Sequence, residues 1–187
     1  MAKTFSIRLI ALQGSTPKPN GERVDDVDNL LIRTGLTTDG PALAEIYRST
    51  WSPITEISPC PVPGEPFFHE ASRPEDYLVA ELGSSVVGYL RLVQPIPVES
   101  CAHVRQIQGL AVEESARYRG IGTALVNAAI VETRQQGASR ITLRVLSTNE
   151  TAHRLYARTG FILEGTLHDE FLLAGKYVDD HLLARKA

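Results

Sequence analysis

The stretch ARYRGIGTALVNAA, residues 116–129, sets Arg117, Arg119, Gly120 and Gly122 directly ahead of a segment with helical apolar spacing. The first N–H groups of a helix have no intrahelical acceptor, and the helix dipole adds to their pull on an anion. Arginine side chains can add charge-assisted hydrogen bonds to phosphate oxygens. The pattern suits an anion-binding turn. It is not a dinucleotide fingerprint, because Leu125 stands where the third glycine is needed, and no Gly-Lys-Ser/Thr follows as a triphosphate loop requires. Taken alone, the stretch is equally compatible with a strand-to-helix turn that carries solvated arginines.

The elements around this turn read as an alternation of strands and helices. Residues 103–112 (HVRQIQGLAV) are a strand candidate. Residues 120–137 form a helix with Ile121, Leu125, Ala128 and Val131 on its apolar face and Gly137 at its end. Residues 139–146 read as strand, and 149–160 as a short helix capped by Asn149 and ended by Gly160. Residues 160–186 supply a final pair of strands. Upstream, residues 29–36 and 77–93 are strand-like, the latter a hairpin turned at GSS. Between them Asp39 can cap a helix whose first turn holds Pro41. The order predicts a mixed sheet covered by helices.

Composition bounds the rest. The 187 residues, 43% hydrophobic and 22% charged, suit one globular domain. A net charge of -3 supplies no basic field for nucleic acid. No apolar run approaches the ~18 residues of a membrane span. Cys60 and Cys101 lie far apart without metal-ligand spacing, and no histidine pair has such spacing either, so reduced thiols, no metal and a cytoplasmic setting are expected. Phe5, Ile7 and Leu9 alternate as a short strand, followed by a polar arm to residue 28. The proline-rich segment 52–74 is too long for an idle connection.

Residues 110–125 (LAVEESARYRGIGTAL) together with residues 149–161 (NETAHRLYARTGF) resemble the GNAT superfamily of acyl-CoA-dependent N-acetyltransferases. Arg117, Gly120 and Gly122 match its pyrophosphate motif, Leu110 to Val112 its fourth strand, and Asn149, Ala152, Leu155, Tyr156, Gly160 and Phe161 its second motif. The resemblance covers residues 29–187 and leaves 1–28 outside the core. It implies an α/β fold with a mixed, mostly antiparallel central sheet, splayed between strands four and five and flanked by helices on both faces. It implies acetyl-CoA as co-substrate, with the pyrophosphate on the turn of Arg117, Tyr118, Arg119, Gly120, Ile121, Gly122 and Thr123. The pantetheine arm would run beside Leu110, Ala111, Val112 and Asn149, and Tyr156 would be the general acid. A non-catalytic acyl-CoA binder and a transferase of longer acyl chains are the alternatives.

Family members often carry Gly where Tyr118 stands and Pro where Glu114 stands. Histone-type members place a glutamate base at the position aligned with Gln106, and an amide cannot take a proton. The base is left open among His103, Glu113, His168 and a water held by Gln106 or Gln108. The 52–74 loop, with Trp51, Phe67, Phe68, His69 and Glu70, falls where the acceptor wall is expected. The acceptor implied is a small amine, an amino acid or a peptide N-terminus, and a homodimer is compatible with the family.

Overall fold

A computed structural model describes residues 7–8, 29–53 and 56–187. The strand expected over Phe5 to Leu9 is represented by β1 (Ile7–Arg8), and the rest of the 1–28 arm lies outside the described residues. Along the chain follow β2 (Leu30–Thr34), α1 (Gly40–Thr50), β3 (Tyr77–Leu82), β4 (Ser85–Val93), β5 (Val104–Val112), α2 (Ile121–Gln135), β6 (Arg140–Leu146), α3 (Glu150–Arg158), β7 (Ile162–Leu173) and β8 (Lys176–Lys186). They build one eight-stranded sheet in the order β1-β2-β3-β4-β5-β6-β8-β7. Only β5 and β6 pair in parallel. The expected strands four and five are therefore β5 and β6, counted from Ile7.

The parallel ladder joins Val104–Arg140 through Ile107–Leu143 and goes no further, although β5 continues to Val112 and β6 to Leu146. On its other side β5 stays paired to β4, out to Gly88–Val112. The sheet is thus open beyond Ile107 and Leu143. At the start of the opening Arg91 faces Gly109 while Leu92 faces Ile107, so Gln108 is the extra residue of a β-bulge.

Strand alternation sorts the core into two layers. Along β3, Leu78 and Ala80 face the layer covered by α2 and α3, whereas Tyr77 and Val79 face α1. The α2 layer is the larger and holds Leu125, Val126, Ala129, Ile141 and Leu143, all fully or almost fully buried. Helix α2 buries more of its circumference than a single amphipathic stripe. Ile130 and Thr133 turn inward, while Val131, expected on the apolar face, is exposed.

Asp39 does not cap α1 as expected. The residue has helical dihedrals and no side-chain cap bond, because its carboxylate is committed elsewhere. It accepts from the Leu36 N–H (2.8 Å) and from both Nη atoms of Arg33 (2.7 and 2.8 Å), and Arg33 Nε donates to Glu81 on β3 (2.8 Å). This partly buried network holds the turn before α1 onto β2 and β3.

Candidate active site

The turn between β5 and α2 is shaped by backbone conformation. Tyr118 has φ +64° with its side chain fully exposed, and Gly120, the residue preceding α2, has φ +79°. The left-handed conformation at residue 118 explains why glycine suits this position. Nothing lies within 4 Å of where a Gly120 Cβ would stand. Gly120 has no side chain to cap α2, so the first-turn N–H groups are open to an incoming anion. Arg117 Nε donates to the Val112 carbonyl (3.1 Å), tying the turn to the end of β5. Gly122 has a different task, for its Cβ position faces Leu155 of α3 at 3.4 Å and Leu110 at 3.9 Å, and its smallness lets α2 approach α3.

Beyond Ile107 the backbone of β5 alternates between its neighbour and the opening. The Glu113 N–H donates to the Val87 carbonyl (2.8 Å), so the alternate residues Ala111 and Gly109 face β4, while Leu110 presents both its polar groups and Val112 its N–H to the gap. A free strand edge of this kind can pair with an amide-bearing ligand. The Leu110 N–H is thus directed at the opening and the Ala111 N–H at β4.

Helix α3 begins as expected, with Asn149 Oδ1 accepting from the Ala152 N–H (3.1 Å). Tyr156, two turns on, is buried in the α2 layer with its ring against Phe161 at 5.5 Å. Its hydroxyl has no hydrogen-bond partner among the described residues. Burial pushes the phenol well above its usual value, so it stays protonated throughout the neutral range.

On the opposite face lies a cavity of about 400 Å³. Tyr77, Tyr89 and Arg91 of β3 and β4 form its floor, and Ala44, Tyr47 and Arg48 of α1 one wall. The proline-rich loop covers it with Glu56, Glu65, Phe67 and His69, and it ends at Gln108, Gly109 and Leu110 where the sheet opens. Phe67 stands edge-on to Tyr89 (5.2 Å) and tilted against Tyr77 (5.1 Å), which fastens the loop to the sheet. Phe68 packs against Tyr77 and Gly40 instead, and Trp51 Nε1 donates to the Ser58 carbonyl (3.0 Å). Neither Phe68 nor Glu70 lines the cavity.

Glu56 is the residue that sequence reading missed. Its carboxylate makes no hydrogen bond to a described residue, and burial pushes its pKa up. Burial also pushes up the phenols of Tyr47 and Tyr89, and the charge of Glu56 adds to both shifts, which puts the three groups together. No spacing signal marks a glutamate inside a proline-rich loop. The earlier candidates lie elsewhere. His103 and Glu113 are outside the cavity, and His168 is bound to Asp179 (3.0 Å) on the exposed β7–β8 ladder. Gln108 does line the cavity and donates to Gln106 Oε1 (2.9 Å).

A sheet opened at one parallel pair, with an uncapped helix start beside the opening and a cavity on the other side, can hold two ligands that meet across the gap. The chain belongs to the acetyltransferase (GNAT) family, whose model matches residues 41–161. It is similar to the L-amino acid N-acetyltransferase AaaT of Escherichia coli K12, with 31% identity over 164 residues that cover 85% of this chain and 99% of the relative. A Streptococcus mutans UA159 crystal structure is 32% identical with a TM-score of 0.73, covering 83% of this chain and 98% of that one. The structure of yncA from Salmonella typhimurium with its cofactor acetyl-CoA shares the fold at 19% identity and a TM-score of 0.69, covering 84% of this chain and 94% of that one. Among the described residues no helix is long and apolar enough to cross a membrane, and no group of three His, Cys, Asp or Glu is placed to hold a metal.

Proposed function

We propose that the chain acetylates the primary amine of a small acceptor, in the first place an amino acid, held in the cavity beneath the proline-rich loop. The observation that carries this reading is that the cavity ends at Gln108 to Leu110, where the free β5 edge begins. The identity with an L-amino acid N-acetyltransferase supports the acceptor class. So does a cavity with groups of both signs, Glu56 and Glu65 against Arg48 and Arg91.

The first-turn N–H groups of Ile121, Gly122 and Thr123, opened by Gly120, hold the pyrophosphate, with Arg117, Tyr118 and Arg119 on the rim. Leu110 and Val112 meet the pantetheine amides, Ala111 keeps the strand on β4, and Asn149 contributes from the start of α3. Acetyl-CoA supplies an activated acyl carbon. Glu56 takes a proton from the acceptor's ammonium group, which leaves a neutral amine able to attack. As the new C–N bond forms, the Leu110 N–H donates to the carbonyl oxygen where negative charge develops. As the C–S bond breaks, Tyr156 donates its hydroxyl proton to the departing sulfur, so the coenzyme leaves as a thiol, and the second proton of the newly bonded nitrogen passes through water to restore the phenol, which leaves a neutral amide. Two substrates held across the opening gain up to ~7–11 kcal/mol from proximity alone.

An amine panel offered with acetyl-, propionyl- and succinyl-CoA, followed by thiol release, tests the reading. Turnover with acetyl-CoA and free amino acids is expected. Tight coenzyme binding by calorimetry without turnover of any amine would replace it with a non-catalytic acyl-CoA binder.

A further inference from the structure

Arg91 leaves β4 directly across the ladder from Gly109, at the bulge where the sheet opens. A guanidinium carries five N–H donors in a rigid plane. Nη2 donates to the Ala71 carbonyl, and the plane lies 5.9 Å from the centroid of the Tyr77 ring. Asp76 Oδ2 forms an ion pair with Nη2 at 3.8 Å, too long for a hydrogen bond. Nε is buried without any partner, and Nη1 has none among the described residues. A cation fixed by one carbonyl, backed by a ring, held to its own carboxylate only by a long ion pair and left with unpaired donors at the wall of the cavity can take a closer anion.

The floor beside it is clear. Nothing lies within 4 Å of where a Gly109 Cβ would stand, and the Gly109 backbone does not need glycine for its conformation. The smallness of this residue therefore leaves room for a ligand. Other charged groups of the cavity suit the task less well. Arg48 is ion-paired with Glu45 on the exposed side of α1, and Glu56 and Glu65 have the wrong sign.

We propose that Arg91 receives the α-carboxylate of the acceptor, so that the enzyme selects free α-amino acids over peptide N-termini and simple amines. The inference rests on the acetyl-transfer reading above. In an α-amino acid a single carbon separates the carboxylate from the amine. An anchor opposite Gly109 thus brings the amine to the Gln108–Leu110 edge. A peptide N-terminus has a neutral amide at that point and cannot neutralise the guanidinium.

The test is steady-state kinetics with the best amino acid from the panel, its carboxamide and its decarboxylated amine. The wild-type enzyme should favour the free acid by ~10²-fold in kcat/KM, as expected when a buried charged partner is lost. Arg91→Gln should raise KM for the free acid by ~10–10²-fold with kcat changed less, and leave the carboxamide and the amine within about threefold. Arg91→Lys keeps the charge without the planar fork and should recover only part of the affinity. A wild-type enzyme that uses the carboxamide as well as the acid overturns the proposal even if neither variant folds. An equal loss on all three acceptors overturns it too. Failure of the wider reading looks different, since then no amine releases thiol, and the carboxylate assignment falls with it.

Discussion

A half-buried carboxylate beside two phenols, with no hydrogen bond to a described residue, has little to stabilise its charge, and Glu56 is in that position beside Tyr47 and Tyr89. Its pKa lies above the usual carboxylate value because burial disfavours the ionised form. A base acts only when deprotonated, so kcat/KM should fall as pH drops through that raised pKa. In Glu56→Gln the rate with the same amine should be ~10²–10⁴-fold lower at neutral pH, and this acid limb should vanish from the profile. An unchanged limb would return the proton transfer to water. Tyr156 is tested at the other end of the reaction. Tyr156→Phe keeps the contact with Phe161 and removes only the hydroxyl, so kcat measured in single turnover should fall by ~10²–10⁴ while acetyl-CoA affinity stays within twofold. Loss of affinity and stability together, with little change in kcat, would make it a packing residue.

At the scale of the element, the β5–α2 turn combines strain with access. Gly120→Val places a β-branched residue at φ +79° and costs about 1–2 kcal/mol in stability. Its side chain would project into the space that the pyrophosphate is expected to use, and affinity for coenzyme A should drop at least tenfold by calorimetry. Gly137 supplies the control at the far end of the same helix. It has φ +73° with open space around its Cβ position, so Gly137→Val should carry a similar strain and leave affinity unchanged.

The turn before α1 rests on charge. Burial pushes the Asp39 carboxyl up, but hydrogen bonds from Arg33 and the Leu36 N–H outweigh it and hold the group below the usual carboxylate range. A depressed pKa stabilises the fold above the unfolded value near 3.9, and this contribution is lost as pH falls through the folded pKa. Asp39→Asn should therefore cost about 2–3 kcal/mol at neutral pH, since Arg33 keeps Glu81 as partner. The gap between variant and wild type in denaturant melts should close below pH ~4. A gap that persists unchanged at lower pH would assign the loss to packing.

Across the whole molecule, two layers of different character meet at one opening. The α2 layer is a large aliphatic core that carries Tyr156, and the α1 layer is a smaller aromatic one under the cavity. The sheet separates them except beyond Ile107 and Leu143, where a ligand can reach both. What the sequence alone determined is local. An uncapped helix start, the Asn149 cap and the β3–β4 hairpin depend on neighbours within a few residues, and residues 77–93, 110–125 and 149–161 carry those rules in their side-chain types. Tertiary structure decided everything that joins distant segments. No periodicity in the proline-rich loop tells Phe67 and Glu56 from Phe68 and Glu70. The inward residues are selected only when the loop closes over Tyr77 and Tyr89. Arg91 reads as an outward polar residue of a strand until the bulge at Gln108 and the bare floor at Gly109 come beside it. The insertion of β8 between β6 and β7 likewise follows from pairing across the sheet, which is set by long-range burial and leaves no mark on any short stretch of chain.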